Sequence, residues 1–473
     1  MKKIIFTILA FAVSVTAINA QSRTSYFVRN STQSHYFNAA FVPDQGYVGV
    51  PLLNGIDIQI GSNFGPSTFL FPLSNGKTGL FLNPEVNSAS FLEGLGDVTY
   101  LDAGIGYNII DAGWFTGKDS FWTVSLGVDV NLDSSIPKEV FRFLKQGMET
   151  DPQHYSISNL GVGADAYASL SVGYSRGLDK LVKGLRVGGK VKFLASVADV
   201  QMNIDKLDID MSSSSWNVSA LGTGHILGGG IVPAFNEEGY VNGVAFDPSA
   251  IGLGGLGVAF DLGAEYRISE GTPVDGLRFS VSVTDLGFIS YSKDKSRMLK
   301  ADRSFQFDGF ENIGTEEGLE SQMDQVLNDL MGLASFSEEE VDKAQTRTLA
   351  ATLYAGVDYS FLKDKMNVGL LYSARFGRFR TENELTLSWN YAPVRSFDIA
   401  LSYSLLKTHS TLGWLITYVP RKGIGLFVGS DYTSLNYTAL QYEGIKFPVP
   451  SRKIILDVNF GFTISLGGSN RRY

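Results

Sequence analysis

The four histidines are the residues best suited to bind a metal or to move a proton, and they lie far apart in the sequence. They are His35, His154, His225 and His409. None has a second ligand at the spacing of a metal site, and none stands beside a candidate nucleophile as a catalytic pair would. We therefore expect solvated or hydrogen-bonded histidines, no metal, no cofactor and no enzymatic activity.

A glycine motif of the form G-x-G-x-x-G is made by Gly252, Gly254 and Gly257. In a dinucleotide site this motif follows a strand and opens a helix whose N-terminus binds the pyrophosphate. Here the following residues alternate like a strand, so we interpret the motif as a pliable loop.

Strands must position these residues, because apolar and polar residues alternate strictly over long segments. In residues 397–406 the odd positions are large and apolar and the even positions are small or polar, and residues 454–466 repeat the pattern. Alternation of this length indicates strands with two differently solvated faces. It predicts an all-β fold, an antiparallel transmembrane β-barrel of about 14 strands.

The N-terminus predicts export. Lys2 and Lys3 precede an apolar run, and a cleavage point falls before Gln21, so residues 1–20 are predicted to be a signal peptide. No later apolar run approaches the roughly 18 residues of a membrane helix. Cysteine is absent, which excludes disulfides and thiolate metal sites. The formal charge of −9 argues against nucleic acid as a partner. The predicted location is the outer membrane, with its lipid as the surrounding partner.

The remaining organisation follows from the spacing of the strands. Residues 21–54 are predicted to form a plug or hatch in the lumen, with a periplasmic arm as the alternative, and residues 55–473 the barrel. Short polar turns alternate with long outer connections, of which those near 133–161 and 292–347 contain predicted helices. Ser337 and Glu340 suggest the capping box of a further helix.

The loop helices carry apolar stripes that something must cover. The side chains concerned include Phe141, Phe143, Leu144, Met323 and Leu327. Either these helices pack on each other and on the barrel rim, or they form a surface groove for a hydrophobic molecule. Both interpretations remain open at this point.

Two features of the predicted wall have a structural and a functional interpretation. Asp285 interrupts the alternation two residues before Gly287, which predicts a β-bulge that either bends the wall or opens a gap. Three arginines could line the lumen for an anionic head group, or could pair with acidic neighbours such as Asp261 and Glu265. They are Arg186, Arg375 and Arg378.

Several motifs resemble FadL-type outer-membrane barrels, and more narrowly a Bacteroidota branch of domain-of-unknown-function proteins related to these and to the PorV type. Asn38-Ala39-Ala40 resembles the Asn-Pro-Ala of the FadL hatch. The other segments are Val258 to Tyr266, Val283 to Gly287 and Asn459 to Gly461. The resemblance implies a fourteen-stranded barrel with an N-terminal hatch. Ala39 replaces the expected Pro, so the hatch turn is expected to be less rigid.

These expectations lead to two functional hypotheses. The first is a FadL-like channel that binds and passes a hydrophobic small molecule, captured by the loop helices and released when the hatch shifts. The alternative is a PorV-like structural or shuttle component whose outer loops bind proteins of a secretion system. A continuous groove into the lumen would favour the first hypothesis, and a filled lumen would favour the second.

Overall fold

The computed structural model describes residues 22–467 apart from 52, 76–77, 236–240, 269–270, 273, 308–335, 407–409, 434–436, 443–444 and 451–452. Within this part, fourteen strands pair antiparallel in chain order. They are β1 (Gly46–Gly49 and Ile56–Ser62), β2 (Leu101–Thr116), β3 (Ser120–Pro137), β4 (Gln153–Gly177), β5 (Leu185–Met211), β6 (Gly255–Arg267), β7 (Leu277–Tyr291), β8 (Thr352–Phe361), β9 (Met366–Phe376), β10 (Thr381–Val394), β11 (Phe397–Leu406), β12 (Ser410–Tyr418), β13 (Gly423–Thr433) and β14 (Ile455–Gly467).

The sheet closes on itself, because β14 pairs with β1 on one side and β13 on the other. Ile56 is opposite Phe460 of β14 and Tyr107 of β2. Closure leaves no free edge in the wall, which is how a strand can cross a membrane with every backbone group paired. The predicted fold class, a fourteen-stranded antiparallel barrel, is confirmed.

The alternation that predicted the strands separates the two surfaces of the wall. In β11, Asp398, Ser402 and Ser404 are buried in the lumen, whereas Leu401 and Tyr403 are exposed on the outside. An apolar exterior and a polar interior are the opposite of a soluble protein and are what a lipid-facing barrel requires. No helix in the described part of the chain is long and apolar enough to cross a membrane.

Short turns lie at one end of the barrel, which is the periplasmic end in proteins of this architecture, and long connections lie at the other. The connections contain the helices Pro66–Phe69, Ser88–Glu93 and Lys138–Gln146 and the 3-10 turns Pro248–Ala250 and Lys293–Lys295. They also contain the strands Leu70–Pro72, Thr78–Leu80, Val98–Thr99, Trp216–Gly228, Ile231–Phe235, Val241–Phe246, Ser296–Phe307, Ser337–Glu339, Gln345–Thr348, Tyr437–Tyr442 and Ile445–Pro450.

Two of the outer connections, between β5 and β6 and between β7 and β8, together form a sheet where the sequence predicts loops. The outer halves of β4 and β5 continue beyond the wall, and Trp216–Gly228 and Ser296–Phe307 extend them into an upright sheet. Ser337–Glu339 adds a further strand opposite Met298–Lys300, so the helix predicted from Ser337 is wrong. Phe336 exchanges two backbone hydrogen bonds with Val241, which fixes the chain in an extended conformation at that point.

The wall also begins earlier than the sequence predicts. Gly46–Gly49 already pairs with both β14 and β2, nine residues before the predicted barrel boundary at residue 55. The register shifts between β6 and β7 at Asp261, and Asp285 has a φ of 58°. The predicted bulge at Asp285 is therefore confirmed.

Candidate functional site

Residues 22–45 enter the barrel and fill part of its lumen, with the 3-10 turns Arg23–Ser25 and Ser34–Tyr36 as their only regular structure. Nearly all of these residues are buried, although many are Ser, Thr, Asn or Gln. A polar lumen supplies partners for such side chains, which an apolar core would not. We call residues 22–45 the plug.

Two carboxylates, Asp431 and Glu384, hold the N-terminal end of the plug in the outer half of the lumen. Asp431 on β13 accepts hydrogen bonds from Ser22 Oγ at 2.7 Å, Thr24 N at 2.9 Å and Thr24 Oγ1 at 2.6 Å. Arg23 between them pairs with Glu384 of β10 at 2.9 Å. Charged acceptors make the stronger hydrogen bonds, so this end of the plug is firmly attached.

The plug then descends to the periplasmic end. Arg29 pairs with Asp364 in the turn between β8 and β9 at 2.8 Å. Asn30 donates to Arg395 O at 2.9 Å and to Asp398 at 3.0 Å. The plug therefore spans the lumen from near the outer end to the periplasmic turns.

The hatch residues Asn38, Ala39 and Ala40 form a tight turn against β5, β6 and β7. Asn38 Oδ1 accepts from Ala40 N at 2.9 Å, while Nδ2 donates to Ala264 O at 3.2 Å and Val281 O at 3.3 Å. This Asx turn fixes the backbone where the resembled motif uses proline. Hydrogen bonds of Asn38 thus hold the turn with Ala at position 39.

Two glycines of the wall make room for this turn. A Cβ on Gly263 would lie 1.9 Å from Asn38 Oδ1, and a Cβ on Gly188 would lie 2.0 Å from Ala39 O. No larger residue fits at either position unless the plug moves.

His35 is the centre of a buried network between plug and wall. Lys190 Nζ donates to His35 Nδ1 at 3.1 Å, and Nε2 lies 2.7 Å from Tyr47 Oη, which donates to Asp111 at 3.0 Å. Burial and the charge of Lys190 lower the pKa of His35, which favours the neutral ring that accepts from the lysine. This histidine is a structural one.

Two of the other histidines each lie beside a carboxylate. His154 lies 2.6 Å from Asp210, and His225 lies 2.5 Å from Asp199. His409 lies outside the described residues. Within the described residues no three His, Asp or Glu side chains are arranged to hold a metal ion.

Above the plug, the outer half of the lumen contains a cavity of about 550 Å³, whose floor is made by Arg23, Tyr36 and Phe37. We call it the outer cavity. Its charged lining comprises five carboxylates and five cations: Asp129, Asp133, Asp165, Asp199, Asp285, Arg23, Lys192, Arg347, Arg375 and Arg378. The polar character of this lining differs from the hydrophobic path expected from the sequence.

The charges of the outer cavity compensate one another. Arg378 bonds to Asp199 at 2.8 Å and to Asp165 at 3.0 Å. Lys192 bridges Asp285 at 2.6 Å and Asp261 at 3.0 Å. The cavity consequently presents polar groups with little net charge.

The three candidate arginines divide between the two interpretations. Arg186 lies 3.8 Å from Glu265, as one interpretation predicts. Arg375 and Arg378 do line the lumen but pair with other acids, since Arg375 lies 3.6 Å from Glu382. The predicted pairing of Arg375 and Arg378 with Asp261 or Glu265 is wrong, because their acidic partners include Glu382, Asp165 and Asp199 instead.

The wall beside the outer cavity is interrupted. β7 pairs with β8 from Leu277 to Thr284 and with Gln345–Thr348 from Phe288 to Tyr291. Between these pairings, residues 285–287 face 349–351, and no ladder pair is described there. One hydrogen bond, from Leu349 N to Gly287 O at 3.1 Å, crosses the interruption. The cavity reaches this place, since Asp285 and Leu349 both line it.

A second cavity, of about 620 Å³, lies on the periplasmic side of the plug. It is lined by the aromatic residues Tyr26, Phe27 and Phe41 of the plug and by charged residues of the turns such as Arg267 and Asp364. We call it the inner cavity. The plug separates it from the outer cavity.

The helix Lys138–Gln146 lies at the outer mouth, and its apolar side chains have different surroundings. Phe141 is buried against Phe69, Phe81 and Phe91 of the first outer connection. Phe143 packs edge-on to Tyr155 with ring centroids 5.4 Å apart. Leu144 remains 43% exposed. Met323 and Leu327 lie outside the described residues. The helix is thus largely covered by its own chain.

Comparisons with known proteins give one family match and several matches to solved structures. A sequence profile of the Family of unknown function (DUF5723) matches residues 39–431. None of the curated proteins matches the chain. Solved structures that match include the toluene transporter TodX of P. putida, at 8% identity and a TM-score of 0.36, covering 95% of each chain.

Two further structures match over similar lengths. The CymD monoaromatic hydrocarbon channel is 10% identical with a TM-score of 0.36, covering 96% of this chain and 95% of that one. A Pseudomonas aeruginosa FadL homologue is 10% identical with a TM-score of 0.35, covering 95% of this chain and 100% of that one. These channels are of the type that the sequence motifs resemble, but similarity at this level carries no argument about ligand or mechanism. The profile match over most of the sequence places the chain in the Family of unknown function (DUF5723).

Proposed function

We propose that the protein is an outer-membrane channel that binds a small amphiphile in its outer cavity and passes it inward when the plug shifts. The observation that carries this proposal is the outer cavity itself, which is large enough for a small ligand and is closed below by the plug. A cavity of a few hundred Å³ with convergent polar groups is the usual form of a ligand site.

The lining indicates the chemistry of the ligand's head. Equal numbers of carboxylates and cations surround the cavity, and several already pair with one another. An ion of either sign would have to break such a pair, which is costly in a buried site. A neutral or zwitterionic polar head fits without that cost. Tyr167 and Tyr291 add aromatic faces to the lining.

The apolar part of the ligand has a separate place in this proposal. The interrupted wall between residues 285–287 and 349–351 lies beside the cavity, and the neighbouring Leu286 and Phe288 face outward. A hydrophobic tail would lie there while the head stays in the lumen. The proposal therefore keeps a hydrophobic ligand but gives it a polar end.

The loop helix has a narrower role than the sequence suggested. Phe141 and Phe143 pack on the chain itself, so capture at the mouth would depend on exposed residues such as Leu144 and Met148. Replacing Phe143 and Leu144 with Asp tests whether capture there contributes to uptake.

A secretion component remains the alternative, but no described feature favours it. That hypothesis predicts a filled lumen without a groove, and the described lumen contains two cavities. Its test is deletion of residues 292–347, which should abolish function only if the outer loops bind a protein.

The decisive experiment fills the outer cavity with a larger side chain. Ser169 on β4 lines the cavity, and its neighbour Leu170 faces the lipid. Small molecules that co-purify with the protein from its own membrane would be identified by mass spectrometry for the wild type, Ser169→Phe and Leu170→Phe. We expect an amphiphile with the wild type and Leu170→Phe, and its loss from Ser169→Phe.

Two results would contradict the proposal. Equal retention of the compound by Ser169→Phe would place it outside the cavity. A stoichiometric polypeptide without any enriched small molecule would favour the secretion role. Folded yield and unfolding temperature of the two variants serve as the control for misfolding.

A further inference from the structure

The connection between β5 and β6 contains a hairpin whose outward surface is apolar. Its described strands, Ile231–Phe235 and Val241–Phe246, contain no charged residue. Phe246 is 69% exposed. Further large apolar side chains are exposed on the hairpin and on the chain that follows it, namely Phe235, Val244, Ile251 and Leu253. An apolar surface of this extent normally has a partner.

Part of the hairpin already has a partner within the chain. Val241 is buried with Phe336 against the upright sheet, where it covers Val200, Ile226 and Leu299. On β5, Val200 alternates with Asp199 and Gln201, which line the outer cavity. The hairpin therefore lies on the outside of the upright sheet, and Phe246, which pairs with Ile231 near the base of the hairpin, stays exposed there.

The base of the hairpin is at the upper border of the lipid-facing band. Gly229 N donates to Val197 O at 2.9 Å, and Gly254 N donates to Ser196 O at 2.7 Å, so both ends leave the wall at the top of β6. Leu256, the next outward residue, is 61% exposed. The band on β6 runs from there to Tyr266, a length of about ten residues that matches a membrane-spanning strand.

We propose that the exposed apolar side chains of this hairpin lie in the outer leaflet of the membrane, in contact with lipid acyl chains near the head groups. Its continuity with the lipid-facing band and the absence of charged residues from its two described strands select lipid as the partner. The upright sheet above it differs in this respect, because exposed charged residues such as Lys206 and Asp302 require water. The hairpin would anchor the upright sheet to the membrane.

The test exploits the absence of native cysteine. A thiol-reactive fluorophore would be attached to Phe246→Cys, with Leu262→Cys on the lipid-facing wall and Lys206→Cys on the upright sheet as lipid and water references. The labelled full-length proteins would be reconstituted in phosphatidylcholine vesicles. Quenching by nitroxide-labelled lipid and by aqueous iodide would be measured for each. Val244→Cys repeats the measurement if Phe246→Cys gives too little folded protein.

We expect lipid quenching at position 246 close to that at 262, and iodide quenching at least roughly fivefold weaker than at 206, as an interfacial element requires. Iodide quenching equal to that at 206 would overturn the proposal, because the hairpin would then lie in water. Protection from both quenchers would also overturn it, since a protein surface rather than lipid would cover the face.

Discussion

The attachment of the plug's N-terminal end to Asp431 gives the most specific prediction. The substitution Asp431→Ala removes the acceptor used by Ser22 and Thr24 but leaves the Arg23 pair with Glu384 in place. The end of the plug should then detach more often, while the wall remains folded.

The magnitude follows from the bonds that are lost. Hydrogen bonds to a charged group contribute about 1.5–3 kcal/mol each, but they are not additive. Leaving a buried donor without its acceptor costs about 1–3 kcal/mol, and Ser22 and Thr24 lose three such bonds. Taking about 3 kcal/mol for the whole attachment, the detached population should rise by roughly a hundredfold.

The assay is the reaction rate of a single thiol. Ser25 is buried in the plug and its hydroxyl has no hydrogen-bond partner in the described structure, so Ser25→Cys removes no interaction. A small water-soluble thiol reagent would be applied to the purified protein with and without Asp431→Ala. The matched control is Asp302→Ala, which removes an exposed carboxylate paired with Lys300. Such a pair contributes under about 1 kcal/mol.

A rate in Asp431→Ala that stays close to that of the control would refute the reasoning, because the carboxylate would then not hold the plug. A parallel fall in the unfolding temperature of the whole barrel would assign the faster reaction to unfolding instead.

Three further predictions concern the plug and the mouth. Gly188→Ala should displace the plug and lower the free energy of unfolding by about 1–3 kcal/mol. Gly189→Ala should have neither effect, because its Cβ would meet nothing closer than 3.7 Å. Thermal unfolding of the two variants makes the comparison. Phe141→Ala should cost about 3–5 kcal/mol of local packing and expose the first outer connection to proteolysis, whereas Leu144→Ala should leave the cleavage rate unchanged. Burial alone would raise the pKa of Asp364, but its partner Arg29 in the plug outweighs this effect. The pKa of Asp364 is therefore lower than its ordinary value. This stabilisation is present above the unfolded pKa of about 3.9 and is lost as pH falls through the lower folded pKa. Hydrogen exchange of residues 26–31, corrected for intrinsic rates, should therefore accelerate in acid in the wild type and already be fast at pH 7 in Asp364→Asn.

The barrel wall could be predicted from sequence because lipid and lumen impose a period of two on every strand. The prediction failed where the wall leaves the membrane. Beyond Val200 the outward face of β5 is covered by the hairpin and Phe336 rather than by lipid, so the strand continues to Met211 into what sequence reasoning treated as a loop. Local patterns do not reveal which partner covers an apolar face.

Sequence reasoning predicted only part of the plug. Asn38 and its neighbours indicated a turn, but for residues 22–34 the choice between a buried plug and a periplasmic arm was left open. Their Ser, Thr and Asn content was the available signal, because these side chains suit a polar lumen rather than an apolar core. Their partner Asp431 is about 400 residues away, a separation that no local pattern can bridge.

The charges of the outer cavity were missed for the same reason. Arg378 was named as a lumen residue, yet its partners Asp165 and Asp199 lie about 200 positions earlier in the chain. Alternation shows that such residues face the lumen but not which of them meet across it. The balance between positive and negative groups, on which the proposed ligand depends, emerges only from the closed barrel.

The proposed function requires that the outer cavity receives its ligand from outside the cell and that the plug separates this cavity from the periplasm. The most direct measurement is labelling of intact cells with a small, membrane-impermeant thiol reagent. Ser169→Cys places a thiol in the outer cavity, and Val42→Cys places one in the inner cavity. We expect reaction at position 169 in intact cells and reaction at position 42 only after the outer membrane is permeabilised. Equal reaction at both positions, or protection of position 169 in intact cells, would contradict it.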